Sequence, residues 1–326
     1  MPAITLVTGA SGFVGCHLLP RLVEAGHAVR CLARDPAWST THGEVVAGCL
    51  GDEASLRRAL DGVDVVVHLA ALVSFARKDA AESFAVNEAG TRRLAALARA
   101  AGVRRFLHVS SVVAIGYSER GEILDETAPY NVARLRVPYC DSKHAAEQAV
   151  LDEVERGLDA VIVNPSSMFG PGDRRKARNS LLDAAQRGRV PFAPSGGANF
   201  ADVRDVAAGC VAALTRGRRG ERYILGGENL TGRELMRTVF AAAGRRPPRW
   251  SLPRPVTKLL AAGAGVLERV VDLRPPLTAQ ILRMASAYFW YGSAKAEGEL
   301  GYRARPVLEA VQAAYRWMEE EGIAGE

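Results

Sequence analysis

Val7-Thr8-Gly9-Ala10-Ser11-Gly12-Phe13-Val14-Gly15 follows the apolar run Ile4-Thr5-Leu6 and runs into Val14–Ala25, where apolar residues recur at helical spacing. A strand, a glycine turn and a helix in immediate succession form the phosphate-cradling start of a βαβ unit. Gly9 permits the tight turn, Gly12 lets backbone amides approach a pyrophosphate at the helix N-terminus, and Gly15 allows close helix–strand packing. The same glycines in another context would be only a flexible turn with a packing glycine. It is the strand before and the helix after that favour a dinucleotide.

The rhythm continues downstream. Strands are expected at Ile4–Thr8, Ala28–Ala33, Val45–Ala47, Val63–Leu69, Arg105–Val109 and Ala160–Val163, with helices at Val14–Ala25, Ala54–Leu60, Ser83–Ala101 and Cys140–Glu155 between them. Such apolar strands separated by helices imply an α/β fold with a doubly wound parallel Rossmann sheet and ligands at the strands' carboxyl ends. After Asn164-Pro165 the pattern breaks, then resumes with a helix at Val203–Thr215 and a strand at Glu221–Leu225. We therefore expect a cofactor-binding domain of residues 1–165 and 201–226. Residues 166–200 and 227–326 would form a smaller, discontinuous, mostly helical substrate lobe, with loops at Arg245–Pro255 and Arg274–Pro276.

Composition excludes several classes. The chain has 326 residues, 48% hydrophobic and 24% charged, without repeats or low-complexity tracts. Its net charge of +6 is dispersed, apart from the run Asp173–Arg178, read as a solvated loop, so no nucleic-acid face is indicated. Five cysteines without metal spacing, Cys16, Cys31, Cys49, Cys140 and Cys210, indicate neither a disulfide framework nor a metal site and suit a reducing, cytoplasmic setting. No signal-peptide pattern precedes the first strand. Val256–Val271 is apolar but is interrupted by Lys258, Glu268 and Arg269 and is too short to span a bilayer; it reads as a buried or pocket-lining helix.

The second strand leads into Ala33-Arg34-Asp35. An acid there would hold a free ribose 2′-hydroxyl and an arginine a 2′-phosphate, so Arg34 favours NADP(H), while Asp35 leaves NAD(H) open and Arg34 as a plain surface charge is the alternative. Asp52, after the third strand, suits either a hydrogen bond from adenine or the N-cap of the following helix. Tyr139 and Lys143 stand four residues apart and share one helix face. A lysine charge beside a phenol, with an oxidised nicotinamide ring, would bring the tyrosine pKa downward. Ser110 and Ser111, ending the strand Arg105–Val109, offer hydroxyls to orient a substrate oxygen.

Together "TGASGFVG", Gly51-Asp52, "HLAA" at 68–71, "VNEAGT" at 86–91, "HVSS" at 108–111, "YCDSK" at 139–143 and "NPSSMFGPGD" at 164–173 resemble the extended short-chain dehydrogenase/reductase superfamily. The second half resembles its dihydroflavonol-reductase-like and hopanoid-associated epimerase-like branch, with 3β-hydroxysteroid dehydrogenases as further relatives. The resemblance implies Tyr139 as general acid, Lys143 on the nicotinamide ribose and Ser111 on the carbonyl. It places Gly9, Ser11, Gly12, Phe13, Val14 and Gly15 around the pyrophosphate, Arg34 at the ribose phosphate, and Leu50 and Asp52 at adenine. Leu69, Ala70 and Ala71 line the path onward with Asn87 nearby, and Pro165, Ser166 and Ser167 flank the nicotinamide. Homodimerisation through Ser83–Ala101 and Cys140–Glu155 is a further implication.

Two departures stand out: Glu53 replaces the hydrophobic residue usual after Gly-Asp, and "NFADVRDVA" lacks the Arg-Asp before Phe that many nucleotide-sugar epimerases carry. These features favour an NAD(P)-dependent oxidoreductase acting on a carbonyl or secondary alcohol of a mostly apolar small molecule. Tyr117, Phe169, Phe200, Phe289 and Trp290 suit a ring system better than a diphosphate, with plain hydrophobic core as the alternative for any one of them. The alternatives are an NAD-dependent nucleotide-sugar epimerase and a non-enzymatic NADP(H) sensor.

Overall fold

The computed structural model describes residues 2–174, 180–268, 271 and 278–323. Arg175–Arg178 of the basic run and the loop Arg274–Pro276 lie outside the described residues.

Seven parallel strands form the main sheet, in the order β10-β6-β5-β4-β1-β2-β3. They are β1 (Ile4–Thr8), β2 (Ala28–Ala33), β3 (Glu44–Ala47), β4 (Val65–His68), β5 (Arg105–Val109), β6 (Ala160–Pro165) and β10 (Arg222–Leu225). Consecutive residues alternate between two buried layers, as the period of two requires. Val7, Val67 and Leu107 pack on one face with Leu18 and Leu22 of α1 (Gly15–Glu24) and Val206 and Cys210 of α7 (Val203–Arg216). Leu6, Val66 and Phe106 pack on the other with Leu56 of α2 (Glu53–Leu60), Leu94 of α4 (Gly90–Ala100) and Val150 of α5 (Pro138–Glu155). With both faces covered, each strand reads as a continuous apolar run rather than an alternating one.

The expected helix Ser83–Ala101 is interrupted. It consists of α3 (Ala80–Phe84), a π-helical turn at Ala85–Ala89 and α4. The wide turn coincides with Asn87, whose side chain is committed to neighbouring segments, in keeping with π-turns marking positions under local constraint.

The rest of the chain is not purely helical. Four strands invisible to the sequence reading, β7 (Ser167–Phe169), β9 (Gly197–Asp202), β11 (Glu228–Thr231) and β13 (Tyr288–Phe289), make a second sheet with β9 central, and β8 (Phe192–Ala193) pairs with β12 (Trp250–Ser251). Around them lie α6 (Leu181–Gln186), α8 (Gly232–Ala242), α9 (Arg254–Leu267), α10 (Ala279–Met284) and α11 (Val307–Glu320). Strands of two to six residues whose partners lie far away in sequence carry too little pattern to be seen from composition.

One helix contradicts its expectation. In α9 only Thr257 and Ala261 are buried, whereas Val256, Leu259, Leu260, Val266 and Leu267 face solvent. The buried side is occupied by Thr257, whose hydroxyl lies 3.2 Å from that of Ser195, so the apolar stripe is left outward.

Candidate active site

In the sheet order β1 stands between β2 and β4, the point where the winding direction reverses and where a ligand crevice is expected. The glycine turn fills that point. Gly9 adopts φ +73°, and a Cβ there would lie 2.6 Å from the Ala70 backbone nitrogen; a Cβ on Gly15 would lie 2.2 Å from the Ala10 oxygen. Both positions therefore demand glycine, one for conformation and contact, one for contact alone. Helix α1 begins without a side-chain cap and without an acid in its first turn. The Gly12, Cys16 and His17 amides are spent on the carbonyls of Gly9, Gly12 and Val14, so an anionic pyrophosphate fits at the helix head over the turn Ser11–Val14.

The other expected positions fall on the same carboxyl edge of the sheet. Arg34 follows β2, exposed and without an ion-pair partner among the described residues, while the Asp35 carboxylate accepts from the Ala37 amide at 2.9 Å. Asp52 caps α2, accepting from the Ala54 amide at 3.0 Å, and Leu50 is buried beside it. Leu69, Ala70 and Ala71 leave β4, with the Ala70 amide donating to Thr8 at 3.2 Å. Asn87 accepts from the Leu72 amide at 2.8 Å and donates to the Leu72 carbonyl and the Ser142 hydroxyl. It thereby ties the segment after β4 to α5. Pro165 ends β6, with Ser166 buried and Ser167 exposed just beyond.

Helix α5 supplies the chemistry. Pro138 in its first turn fixes the backbone for helix entry, and Tyr139, Lys143 and Glu147 then repeat every four residues on one buried face. Behind them Ala146, Ala149 and Val150 pack inward. Tyr139 meets Phe75 edge-on at 5.4 Å, and the hydroxyl of Ser111, the N-cap of a short turn after β5, is near enough to favour its phenolate. Ser110, by contrast, is buried with no partner for its hydroxyl among the described residues. The Lys143 ammonium donates to the Val109 carbonyl at 3.1 Å. The three expected residues, Ser111, Tyr139 and Lys143, are thus brought together.

Burial dominates the electrostatics of this pair. In the cofactor-free protein the Tyr139 phenol lies above its usual pKa, because burial disfavours phenolate more than the Ser111 hydroxyl favours it. Burial also depresses Lys143, to about 8, with Glu147 opposing the shift. The lysine therefore does not by itself draw the phenol downward. Raised in this way, Tyr139 is a weaker acid than a free tyrosine, and proton donation at neutral pH calls for a neighbouring positive charge to lower it.

Several supporting groups escaped the sequence reading. Glu147, fully buried, accepts hydrogen bonds from Asn164 and, at 3.4 Å, from Arg222. Asn164 also donates to the Ser111 carbonyl at 3.0 Å, so this pair fixes the backbone of the serine. His68 bridges Thr8 and Thr91 at 2.7 and 2.8 Å, and burial holds it neutral, its pKa near 3. The signal for Glu147 was present: it stands four residues beyond Lys143, the same spacing that singled out the tyrosine.

A doubly wound sheet with a glycine turn at its switch point and a Ser/Tyr/Lys cluster after β5 defines an extended short-chain dehydrogenase/reductase. The NAD dependent epimerase/dehydratase family matches residues 5–226, and the chain belongs to it. Its cofactor class is accordingly a nicotinamide dinucleotide. The chain is 34% identical to sterol demethylase protein B of Methylococcus capsulatus, over 98% of this chain and 99% of that protein. It is 30% identical to a 3 beta-hydroxysteroid dehydrogenase/Delta 5-->4-isomerase of Mycobacterium tuberculosis, over 94% and 87% respectively. Among solved structures it superposes on gox2253 with a TM-score of 0.85 and 36% identity, covering 98% of each chain.

Proposed function

We propose that this protein is an NADP(H)-linked oxidoreductase that interconverts a carbonyl and a secondary alcohol on a mostly apolar small molecule. The observation that carries the reading is the convergence of Ser111, Tyr139 and Lys143 where β5 meets α5. A bound nicotinamide supplies the hydride acceptor or donor. Tyr139 gives its phenolic proton to the carbonyl oxygen during reduction, and Ser111 holds that oxygen in line. Lys143 binds the nicotinamide ribose and, while charged, favours phenolate as the proton leaves. Asn164 and Glu147 keep the Ser111 backbone in place.

The preference for NADP(H) rests on Arg34, the uncommitted cation after β2, beside an Asp35 already engaged in its own turn. Residues 1–165 and 201–226 carry the cofactor in this reading, and 166–200 with 227–326 enclose the substrate. Steroid and sterol names among the relatives support an apolar substrate. A panel of apolar ketones and aldehydes, followed by NADPH and NADH absorbance with and without UDP-sugars, tests it. Oxidation of NADPH by ketones supports the reading, whereas turnover of UDP-sugars alone would overturn it.

The family name gives a second reading, an epimerase that oxidises and re-reduces one sugar carbon. Such an enzyme would be purified with stoichiometric, unexchanging NAD. A dissociable cofactor excludes it.

A further inference from the structure

Helix α9 places its apolar residues on the wrong side for a soluble helix. Val256, Leu259, Leu260, Val266 and Leu267 fall within one stripe about a third of the circumference wide, by the 100° turn per residue. That stripe points outward, with Leu259 74% and Val266 63% exposed. The opposite side is fastened to the protein by polar bonds. Thr257 lies against Ser195, Arg254 donates to the Ser286 carbonyl at 3.0 Å and to that of Glu119 at 2.6 Å, and Glu268 accepts from the Ala279 amide at 2.8 Å. The helix is therefore anchored in an orientation that exposes its leucines.

The segment leading into α9 adds to the same surface. Trp250, 74% exposed, pairs in register with Phe192, also exposed. Around the tryptophan stand Arg245, Arg246 and Arg249, all exposed and without ion-pair partners among the described residues. Between Glu234 and Glu268 the sequence contains no acidic residue at all. Among the described residues, Glu119 lies 3.9 Å from the Lys258 ammonium, and Glu268 ends the helix with its carboxylate turned to the Ala279 amide.

An outward apolar stripe, an exposed tryptophan and a cluster of unpaired arginines match what an anionic lipid surface recognises: acyl chains receive the leucines, the headgroup layer the indole, and phosphates the guanidinium groups. We propose that α9 and the segment around Trp250 dock this protein peripherally on an anionic membrane surface. No described helix is long and apolar enough to cross a bilayer, so the helix lies in the interface. The proposal does not depend on the chemistry at Tyr139.

Flotation of the full chain with vesicles of phosphatidylcholine, alone or mixed with phosphatidylglycerol, tests it. Expected are co-flotation with the phosphatidylglycerol vesicles, weakening as salt rises, and a blue shift in emission that Trp250→Phe removes. The double variant Leu259→Glu, Val266→Glu should float at least about tenfold less. Replacing Arg245, Arg246 and Arg249 by Gln should cost about fivefold in partition per arginine. Retained cofactor binding certifies that each variant is folded. The proposal is overturned if the wild type floats with neither vesicle, or if the glutamate variant floats as well as the wild type. It is also overturned if sedimentation shows a dimer that Leu259→Glu disperses, since a second copy would then cover the face.

Discussion

Helices α5 and α9 both have proline in their first turn, and both invert the usual arrangement of a helix, in opposite senses. Helix α5 carries a tyrosine, a lysine and a glutamate inside; α9 carries leucines and valines outside. The two inversions differ in what compensates them. Inside α5 each polar group meets a polar neighbour: Ser111 beside Tyr139, the Val109 carbonyl accepting from Lys143, Asn164 donating to Glu147. Outside α9 the leucines have none among the described residues, although burying each would contribute about 1.5–3 kcal/mol. A buried polar face fully bonded within the chain is a finished site awaiting small molecules. An unpartnered apolar face is half of a contact whose other half is elsewhere.

The sharpest way to break this contrast is at Tyr139. Replacing it with phenylalanine removes one oxygen and leaves the packing against Phe75 in place. Turnover should fall by at least about a thousandfold, within the range of a lost general acid, while cofactor affinity in fluorescence titration stays near wild type. Unchanged turnover would show that the phenol is only a core group, and the contrast with α9 would lose its functional half.

Lys143 offers a second test, through pH. It faces His68 and His108 from β4 and β5 and Glu147 from its own helix, and burial lowers it to about 8 from 10.5. Between these values the unfolded chain holds a proton that the folded one has lost, so unfolding free energy rises with pH. Wild type should gain up to about 3 kcal/mol on Lys143→Met as pH rises from 8 to 10.5. Chemical denaturation across that range checks it. A gap independent of pH would mean that the ammonium is solvated. For function the sign reverses: cofactor affinity should weaken above pH 8, where the charge is lost.

Arg34→Ala comes next in size. Loss of a charged contact to a 2′-phosphate should reduce the preference for NADP over NAD roughly ten- to a hundredfold, measured as the ratio of the two kcat/KM values. An unchanged ratio would place recognition of the phosphate elsewhere.

These tests act on residues that were legible before any coordinates, and there is a physical reason. Turn glycines, cap residues and a four-residue helical spacing are local: each is set by neighbours in sequence, so Gly9, Asp52, Tyr139 and Lys143 could be read directly. Glu147 obeys the same spacing, but a single acid on a helix is ordinarily a surface charge, so spacing alone does not single it out. The second sheet was not readable. Its strand β9 pairs with β7, β11 and β13, and β13 is roughly ninety residues away, with partners short enough that tertiary pairing alone decides their conformation. The orientation of α9 is illegible in the sequence for a related reason. Periodicity reveals that a helix has an apolar side but does not say which way it is turned.

The smallest effect is expected on that helix, and it bears most directly on the comparison. Ala146 in α5 is fully buried, and Ala146→Asp should cost several kcal/mol or prevent folding, because an unpaired carboxylate would enter the buried interior. Leu259→Asp in α9 should shift stability by no more than about 0.5 kcal/mol in the isolated protein, since the leucine is already in water. Thermal unfolding of both variants without lipid makes the measurement. If Leu259→Asp instead lowers the midpoint by many degrees, the stripe is covered in solution by the protein itself or by a second copy. The two helices would then differ only in where their partners come from. If the midpoint is unmoved while vesicle binding is lost, the leucine contributes to docking and not to the fold.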